Sequence, residues 1–115
     1  LILGKPSPAL VDTCIEYDVK IVAYNVLSWG LLTGKFNHSS RFEKNDRRFG
    51  LPLFQIEQLE KALKIVNKAK ISAQNEGLTV CQYAINWVLQ QKNVAAVITG
   101  IKNVEQAEEN CSNII

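Results

Sequence analysis

The chain has 115 residues, of which 47% are hydrophobic and 21% are charged, with a net charge of +2. This length and composition are typical of one small globular domain. The small net charge does not support nucleic-acid binding, and no apolar run is long enough for a membrane span or a secretory signal. Because the sequence has no methionine, even at position 1, we expect a fragment or a processed product.

The three cysteines, Cys14, Cys81 and Cys111, are scattered along the chain. An odd number without paired spacing argues against a disulfide scaffold and against a zinc site. We interpret them as ordinary buried thiols in a reducing compartment. We therefore expect a cytoplasmic protein that binds no metal.

The N-terminal half predicts a helix, a buried strand and a long loop. Ser7 suits an N-cap, and Pro8 suits the first position of a helix that we expect to end near Asp18. The continuous apolar run Ile21–Ala23 is typical of a parallel strand that is covered on both faces. An irregular stretch at about 28–54 follows, and a loop of this length in a compact domain is usually functional or disordered.

This loop carries a basic cluster whose role the sequence leaves open. Its members are Arg41, Lys44, Arg47 and Arg48. A solvated surface is one interpretation of such a cluster, and a functional contact is the other. His38, in the same loop, is interpreted as a surface histidine.

Two helices are predicted after the loop. The first covers about 54–77, with apolar residues on one side, charges on the other and Gly77 as its stop. Thr79 and Gln82 form a capping-box pattern for the second, which we expect to be mostly buried. Its predicted polar edge consists of Gln82, Asn86 and Gln90.

The C-terminal part predicts a second buried strand, at about 94–99, and a last helix. Asn103 with Gln106 repeats the capping-box pattern. The helix has an apolar face of Val104, Ala107, Cys111 and Ile114 and a polar side of Lys102, Gln106, Glu109 and Asn110. Strands that alternate with helices indicate the α/β class with a parallel sheet.

Two segments suggest an anion site at one edge of this sheet. In parallel α/β folds, ligands bind beyond the carboxyl ends of the strands, where a helix N-terminus favours phosphate. In "TGIKN", residues 99–103, Gly100 allows close backbone approach, Lys102 supplies a cation and Asn103 caps the helix. When this segment is considered by itself, an ordinary turn is the alternative interpretation. "LLTGK", residues 31–35, follows the first strand in a similar way and strengthens the anion-site interpretation.

At these segments the sequence resembles the aldo-keto reductases, closest in motif to the branch of potassium-channel β subunits and bacterial oxidoreductases. The first block is "IVAYNVLSWGLLTGKF", residues 21–36. The second block is "LTVCQYAINWVLQQKNVAAVITGIKNVEQAEEN", residues 78–110. "RFEKNDRRF", residues 41–49, resembles the variable loop between them.

The resemblance implies that residues 1–115 are part of an α/β fold, the TIM (β/α)8 barrel. They would be its C-terminal part, strands seven and eight with their flanking helices, and thus a partial NADP-dependent oxidoreductase domain. It also implies NADPH as the cofactor and a small carbonyl compound as the substrate of the full-length barrel. The family's catalytic aspartate, tyrosine, lysine and histidine come from earlier strands, so we assign no catalytic residue and expect the chain alone to be inactive.

Carried over by position, the resemblance assigns cofactor contacts to three parts of the chain. Tyr24 is the aromatic residue on which the nicotinamide ring stacks. The pyrophosphate loop and its basic residues are Asn25, Val26, Leu27, Ser28, Trp29, Lys35 and Arg41. The adenosine and its 2′-phosphate are held at Gly100, Lys102, Gln106, Glu109 and Asn110.

Two departures from the family pattern bear on affinity. Asn25-Val26-Leu27 stands where the family has Ser-Pro-Leu, and the loss of proline is expected to loosen the preset backbone angle of this loop. Trp29 is bulky where family members carry a small or basic residue.

Two other functions stay open at this stage. The chain could belong to a non-enzymatic NADPH-binding regulatory subunit, related to potassium-channel β subunits and partnered by a channel α subunit, or it could be an inactive truncated product. No nucleic-acid partner is expected in either case. Because two parallel strands do not form an independent sheet, we expect the isolated chain to be marginally stable or prone to aggregate.

Overall fold

The computed structural model describes residues 1–2 and 4–114, and its elements follow the predicted order. They are helix α1 (Pro8–Glu16), strand β1 (Ile21–Tyr24), helices α2 (Ile56–Asn75) and α3 (Val80–Leu89), strand β2 (Val94–Ile98) and helix α4 (Val104–Cys111). Two short 3-10 helices, Leu31–Thr33 and Pro52–Phe54, lie in the long connection between β1 and α2. Within the described residues, no helix is both long and apolar enough to cross a membrane.

Several helix ends lie where the sequence predicts them. The Ser7 hydroxyl accepts the Leu10 N–H at 3.3 Å, and Gly77 follows α2 with a left-handed φ of 68°. The Thr79 hydroxyl accepts the Gln82 N–H at 3.2 Å, and the Gln82 side-chain oxygen accepts the Thr79 N–H at 3.0 Å. Because these bonds satisfy backbone donors that a helix leaves free, the capping residues fix where α1 and α3 begin.

β1 and β2 form a two-stranded parallel sheet. Ile21 pairs with Val94 and Tyr24 with Ile98, with a register shift directly after Ile21. α2 and α3 lie in the connection between the strands, and α3 packs against β2. Parallel pairing requires such a crossover and brings the carboxyl ends of both strands to the same edge. The α/β class and the parallel sheet are therefore confirmed.

The expectation that both strands are buried on both faces is wrong for the described chain. Val22, Tyr24 and Ile98 are 52%, 81% and 60% exposed, whereas Ile21 and Ala23 are half-buried. Successive side chains of a strand point to opposite faces, and the described elements cover only one of them. The apolar run therefore indicates that both faces of these strands could be buried if further elements packed against the sheet.

The core lies between the first 3-10 helix and the two central helices, beside the sheet. Leu31 and Leu32 have no exposed surface. They pack against buried residues of α2 and α3, namely Leu59, Ala62, Leu63, Val66, Ala69 and Ala84. The two leucines thus anchor the segment that follows β1 to the helices.

The polar edge expected on α3 is confirmed only for Gln90, which is exposed, and the apolar face expected on α4 is wrong for Val104 and Cys111. Gln82 and Asn86 are 5% and 3% exposed, because their amides bond to the end of α4 and to the residues after it. On α4, Val104 is 68% exposed and Cys111 is exposed, whereas Asn110 is only 7% exposed. α4 therefore turns its polar side toward the rest of the chain.

Leu32→Ala should lower the free energy of unfolding by about 2–5 kcal/mol, because it removes buried apolar surface and leaves a cavity. Ile71→Ala on α2 is the matched control. Ile71 is 60% exposed, so its truncation should change the free energy by about 0.5 kcal/mol or less. Chemical denaturation followed by circular dichroism measures both variants, and equal losses would place the core elsewhere.

Candidate functional site

A cleft of about 610 Å³ opens at the sheet edge where both strands end. Its walls are the segment after β1, the loop at 46–48, the segment after β2 and the inner side of α4. This volume is typical of small-molecule and cofactor sites. Its position agrees with the rule that α/β proteins bind ligands beyond the carboxyl ends of their strands.

Most of the residues predicted to contact a cofactor line this one cleft. They are Asn25, Val26, Leu27, Trp29, Lys35, Gly100, Lys102, Gln106, Glu109 and Asn110. Some follow β1 and the others follow β2, so two segments that are far apart in the sequence meet here. Their role as cofactor contacts stays a prediction.

Tyr24, Ser28 and Arg41 lie outside the cleft. Tyr24 is 81% exposed on the uncovered face of the sheet. With the buried Ser28, it lines a smaller hollow of about 130 Å³ beside the N-terminal residues. The Arg41 guanidinium donates to the carbonyl oxygens of His38 and Ser40, both at 2.9 Å, so its own loop holds it away from the cleft.

The segment after β1 is a tight turn with several left-handed residues. Asn25, Ser28 and Trp29 have φ values of 54°, 51° and 57°, and Gly30 follows at 90°. The Asn25 side-chain oxygen accepts the Trp29 N–H at 2.9 Å. This bond stabilises a backbone conformation that is costly for residues other than glycine. Asn25 thus restrains the loop that the missing proline was expected to loosen.

Contacts between Gly34 and the central helices fix the position of the neighbouring Lys35. The Lys70 ammonium donates to the Gly34 carbonyl at 3.0 Å. A Cβ added to Gly34 would lie 2.7 Å from Lys70 Cε and 3.2 Å from Val80 Cγ1, and the φ of Gly34 is 73°. Space and backbone angle therefore both favour glycine here, and the fixed turn presents the exposed Lys35 to the cleft.

Aromatic packing orders the long loop into one wall of the cleft. Phe36, Phe42 and Phe54 meet edge to face, with ring centroids 4.7–6.3 Å apart. The Arg48 guanidinium lies 4.2 Å from the Phe42 ring centroid and forms an ion pair with Asp46. Edge-to-face rings and a cation above a ring are both attractive arrangements. Together they hold residues 46–48 at the cleft.

The sequence interpretation missed Asp46 and left the roles of Arg47 and Arg48 open. All three line the cleft, whereas Arg41 and Lys44 do not. The phenylalanines around the basic cluster are the sequence signal that could have distinguished the cleft-lining residues from the solvated ones. Packed rings fix the position of a loop, whereas charged residues alone leave it solvated. Further lining residues that were not singled out as contacts are Gly30, Thr33, Phe36, Cys81, Ile98 and Thr99.

The charges of the cleft favour an anionic ligand. Besides the pair of Arg48 and Asp46, the lining cations are Lys35, Arg47 and Lys102. Within the described residues, the other lining carboxylate is Glu109. Hydrogen bonds from Arg48 hold the pKa of Asp46 well below its usual range, and the charge of Lys102 adds to this effect. An excess of cations in a cleft raises the local concentration of anions.

The cap of α4 differs from the predicted box. The Asn103 side-chain oxygen accepts the Gln106 N–H at 2.9 Å, but the Gln106 side-chain oxygen accepts the Lys102 N–H, also at 2.9 Å. Lys102 is thus tied to the first turn of α4, at the positive end of the helix dipole. A Cβ added to Gly100 would meet nothing within 4 Å, so the space around Gly100 is open for close approach.

Cys81 lines the cleft as a buried side chain. The residue is 3% exposed, and its thiol donates to the Leu32 carbonyl at 3.6 Å. Burial, assisted by the Glu109 carboxylate and opposed by Lys35, raises the pKa of Cys81 to about 11. A thiol with this pKa is protonated at neutral pH and is not a nucleophile. The interpretation as a buried thiol is therefore confirmed for Cys81 but wrong for Cys111, which is exposed.

Known aldo-keto reductases are similar to this chain. The model of the aldo/keto reductase family matches residues 4–114. The chain is 37% identical to an aldo-keto reductase of Strobilurus tenacellus, over 91% of this chain and 31% of that protein. It is 32% identical to an aldo-keto reductase of Schizosaccharomyces pombe whose name specifies NADP(+), over 94% of this chain and 32% of that protein.

A solved structure agrees with these sequence matches. The glycerol dehydrogenase of Gluconobacter oxydans superposes with a TM-score of 0.77 and 30% identity, over 91% of this chain and 33% of that one. The chain thus spans about a third of the length of the proteins it matches.

Gly34→Ala should destabilise the chain more than Gly77→Ala, although both glycines have a left-handed φ, of 73° and 68°. The backbone strain that both variants share costs about 1–2 kcal/mol. Only Gly34 has near neighbours, so its new Cβ displaces Lys70 and breaks the bond to the Gly34 carbonyl, which costs about 1 kcal/mol more. Denaturation curves measure the difference. In a Lys70→Ala background the difference should shrink to what the contact with Val80 contributes; an undiminished difference would show that Lys70 does not hold this turn.

Asp46 should titrate well below the ordinary carboxyl pKa of about 3.9, because Arg48 donates hydrogen bonds to it. A carboxyl whose pKa is lowered on folding stabilises the folded state above its ordinary pKa. That stabilisation is lost as the pH falls from about 4 toward the lowered value. NMR titration of the Asp46 carboxyl measures the shift, and Arg48→Met should return the pKa toward its ordinary value. An unshifted Asp46 in the unaltered chain would contradict the pairing.

Proposed function

Because this chain belongs to the aldo/keto reductase family, we propose that it is the cofactor-binding part of an NADPH-dependent carbonyl reductase. The observation that carries the proposal is the cleft, where the segments after both strands bring cations and amide groups together. We further propose that β1 and β2 are strands seven and eight of a (β/α)8 barrel, in which phosphate sites lie beyond those strands. The uncovered strand face supports this assignment, since a barrel interior is filled by side chains from every strand.

The lining of the cleft fits the phosphate-bearing end of NADPH. Lys102 lies at the N-terminal end of α4, where the helix dipole and the ammonium group both favour a phosphate. Lys35 and Arg47 supply two further cations from the segment after β1 and from the loop. Gln106 and Asn110, one turn apart on the inner side of α4, supply amides suited to the edge of a base. The relative named for NADP(+) supports the same choice of cofactor.

The residues of this chain would bind and orient the cofactor. When bound, the reduced nicotinamide supplies a hydride to a carbonyl carbon. Val26, Leu27 and Trp29 present apolar surface to the cleft, which excludes water beside the bound group. The bond from the Trp29 N–H to Asn25 holds this wall in place.

We propose that the acid that protonates the carbonyl oxygen lies outside this chain. Among the described residues, the cleft lining includes no tyrosine and no histidine. Tyr17 and Tyr24 are 71% and 81% exposed, and His38 is exposed in the loop. Since a carbonyl reductase needs a proton donor within hydrogen-bonding reach of its substrate, catalysis would depend on further β/α units. The proposed substrate class is a small carbonyl compound.

Lys102→Glu tests the proposal through cofactor binding. A carboxylate in place of this cation should weaken NADPH binding at least about tenfold, and NADH binding less, because NADH lacks the 2′-phosphate. Lys64→Glu is the matched control. Lys64 is exposed on α2 outside the cleft, and its replacement changes the net charge equally. Fluorescence titration of the reduced nicotinamide measures both cofactors.

Two results would contradict the proposed function. Equal losses of NADPH affinity in Lys102→Glu and Lys64→Glu would attribute the effect to overall charge. An unaltered, folded chain that does not bind NADPH would remove the cofactor site itself.

A further inference from the structure

Gln82 lies outside the cleft, yet its amide joins the start of α3 to the end of α4. The side chain is buried, with 5% of its surface exposed. Its Oε1 accepts the Thr79 N–H at 3.0 Å. Its Nε2 donates to the Glu109 carbonyl at 3.2 Å and to the Ser112 hydroxyl at 3.0 Å. The carboxamide oxygen thus accepts a hydrogen bond in the cap of α3, and the carboxamide nitrogen donates hydrogen bonds to the end of α4.

These bonds reach α4 at a point where the helix lacks partners of its own. The last four carbonyl groups of a helix have no N–H partner within it, and Glu109 belongs to the last turn of α4. Ser112, which accepts from Gln82, donates in turn to the Glu108 carbonyl at 2.7 Å. Gln82 therefore connects α3 to a short network that closes the C-terminal end of α4.

The same turn of α4 forms part of the cleft. Glu109 and Asn110 line it, and the Asn110 amide lies 3.4 Å from the Thr99 hydroxyl at the end of β2. α3 is anchored in the core by Ala84 and Ile85, which are 0% and 1% exposed. The Gln82 amide thus links a firmly packed helix to the backbone of the cleft wall.

We infer that Gln82 is a positioning residue that sets where α4 holds the adenosine end of the cofactor. The inference rests on the proposed function, and it gives Gln82 no contact with the ligand. Gln82 acts through the backbone of Glu109, so loss of its Nε2 donor alone should displace the inner side of α4 while the cap of α3 stays formed.

Gln82→Glu separates the role of the carboxamide oxygen from that of the carboxamide nitrogen. A glutamate oxygen still accepts the Thr79 N–H, and glutamate suits this box as well as glutamine, but the donor to α4 is lost. We expect NADPH and adenosine 2′,5′-bisphosphate to bind about five- to tenfold more weakly. Isothermal titration calorimetry measures both ligands, and thermal unfolding of the same samples measures stability.

Asn86→Asp is the matched control on the same helix. Asn86 is similarly buried, at 3% exposure against 5% for Gln82. Its amide donates to the Asn113 carbonyl at 2.9 Å, beyond the part of α4 that lines the cleft. This variant should lose stability to a similar degree and keep its affinity for adenosine 2′,5′-bisphosphate. A loss of affinity confined to Gln82→Glu supports the positioning role, and equal losses of affinity in both variants overturn it.

The remaining outcomes separate this inference from the proposed function. If the unaltered chain binds both ligands and Gln82→Glu binds them equally well, the positioning role is overturned and the proposed function stands. If the unaltered, folded chain binds neither ligand, both are overturned. If Gln82→Glu does not fold, Gln82→Met removes the bonds to Glu109 and Ser112 without adding a charge and should show a comparable loss of affinity. Unchanged affinity in that variant would overturn the inference.

Discussion

The parallel pairing of β1 with β2 is the constraint on which the cleft depends. Ile21 lies opposite Val94 and Tyr24 opposite Ile98, so the two chain segments that leave the strands do so at one edge. An antiparallel pair would place these segments at opposite ends of the sheet and would divide the cations between them. The crossover through α2 and α3 is the structural requirement for this arrangement, and it also supplies the helices that form the core.

The sheet gives the cleft its position, and the helices give it its stability. The strands are only half covered, whereas Leu31 and Leu32 are fully buried against α2 and α3. The segment after β1 is therefore held twice, by the strand that precedes it and by the leucines that follow. Between these two anchors, the bond from Trp29 to Asn25 fixes a turn that would otherwise be strained. A ligand would meet this wall in a shape that is already formed.

The sequence predicts those features that depend on near neighbours. The cap at Ser7, the box at Thr79 and the stop at Gly77 follow from residues within one helical turn, and the structure has all three. The edge of the sheet was predictable as a site because the parallel class alone implies it. The loop wall was not predictable, because Arg48 is held at the cleft by Asp46 and by the packed rings around Phe42. The positions of these rings depend on packing across the whole connection.

The failures on α3 and α4 have one physical cause. Helical periodicity assigns polar residues to solvent, but a buried amide is stable wherever it finds partners. Gln82 finds them on α4, and Asn110 contacts the end of β2, so the polar side of α4 faces inward and Val104 faces out. Within the described residues, no buried side-chain nitrogen or oxygen lacks a hydrogen-bond partner. The inward-facing polar side chains therefore all have hydrogen-bond partners. Such bonds are what a polar cleft wall needs in order to be ordered before a ligand binds.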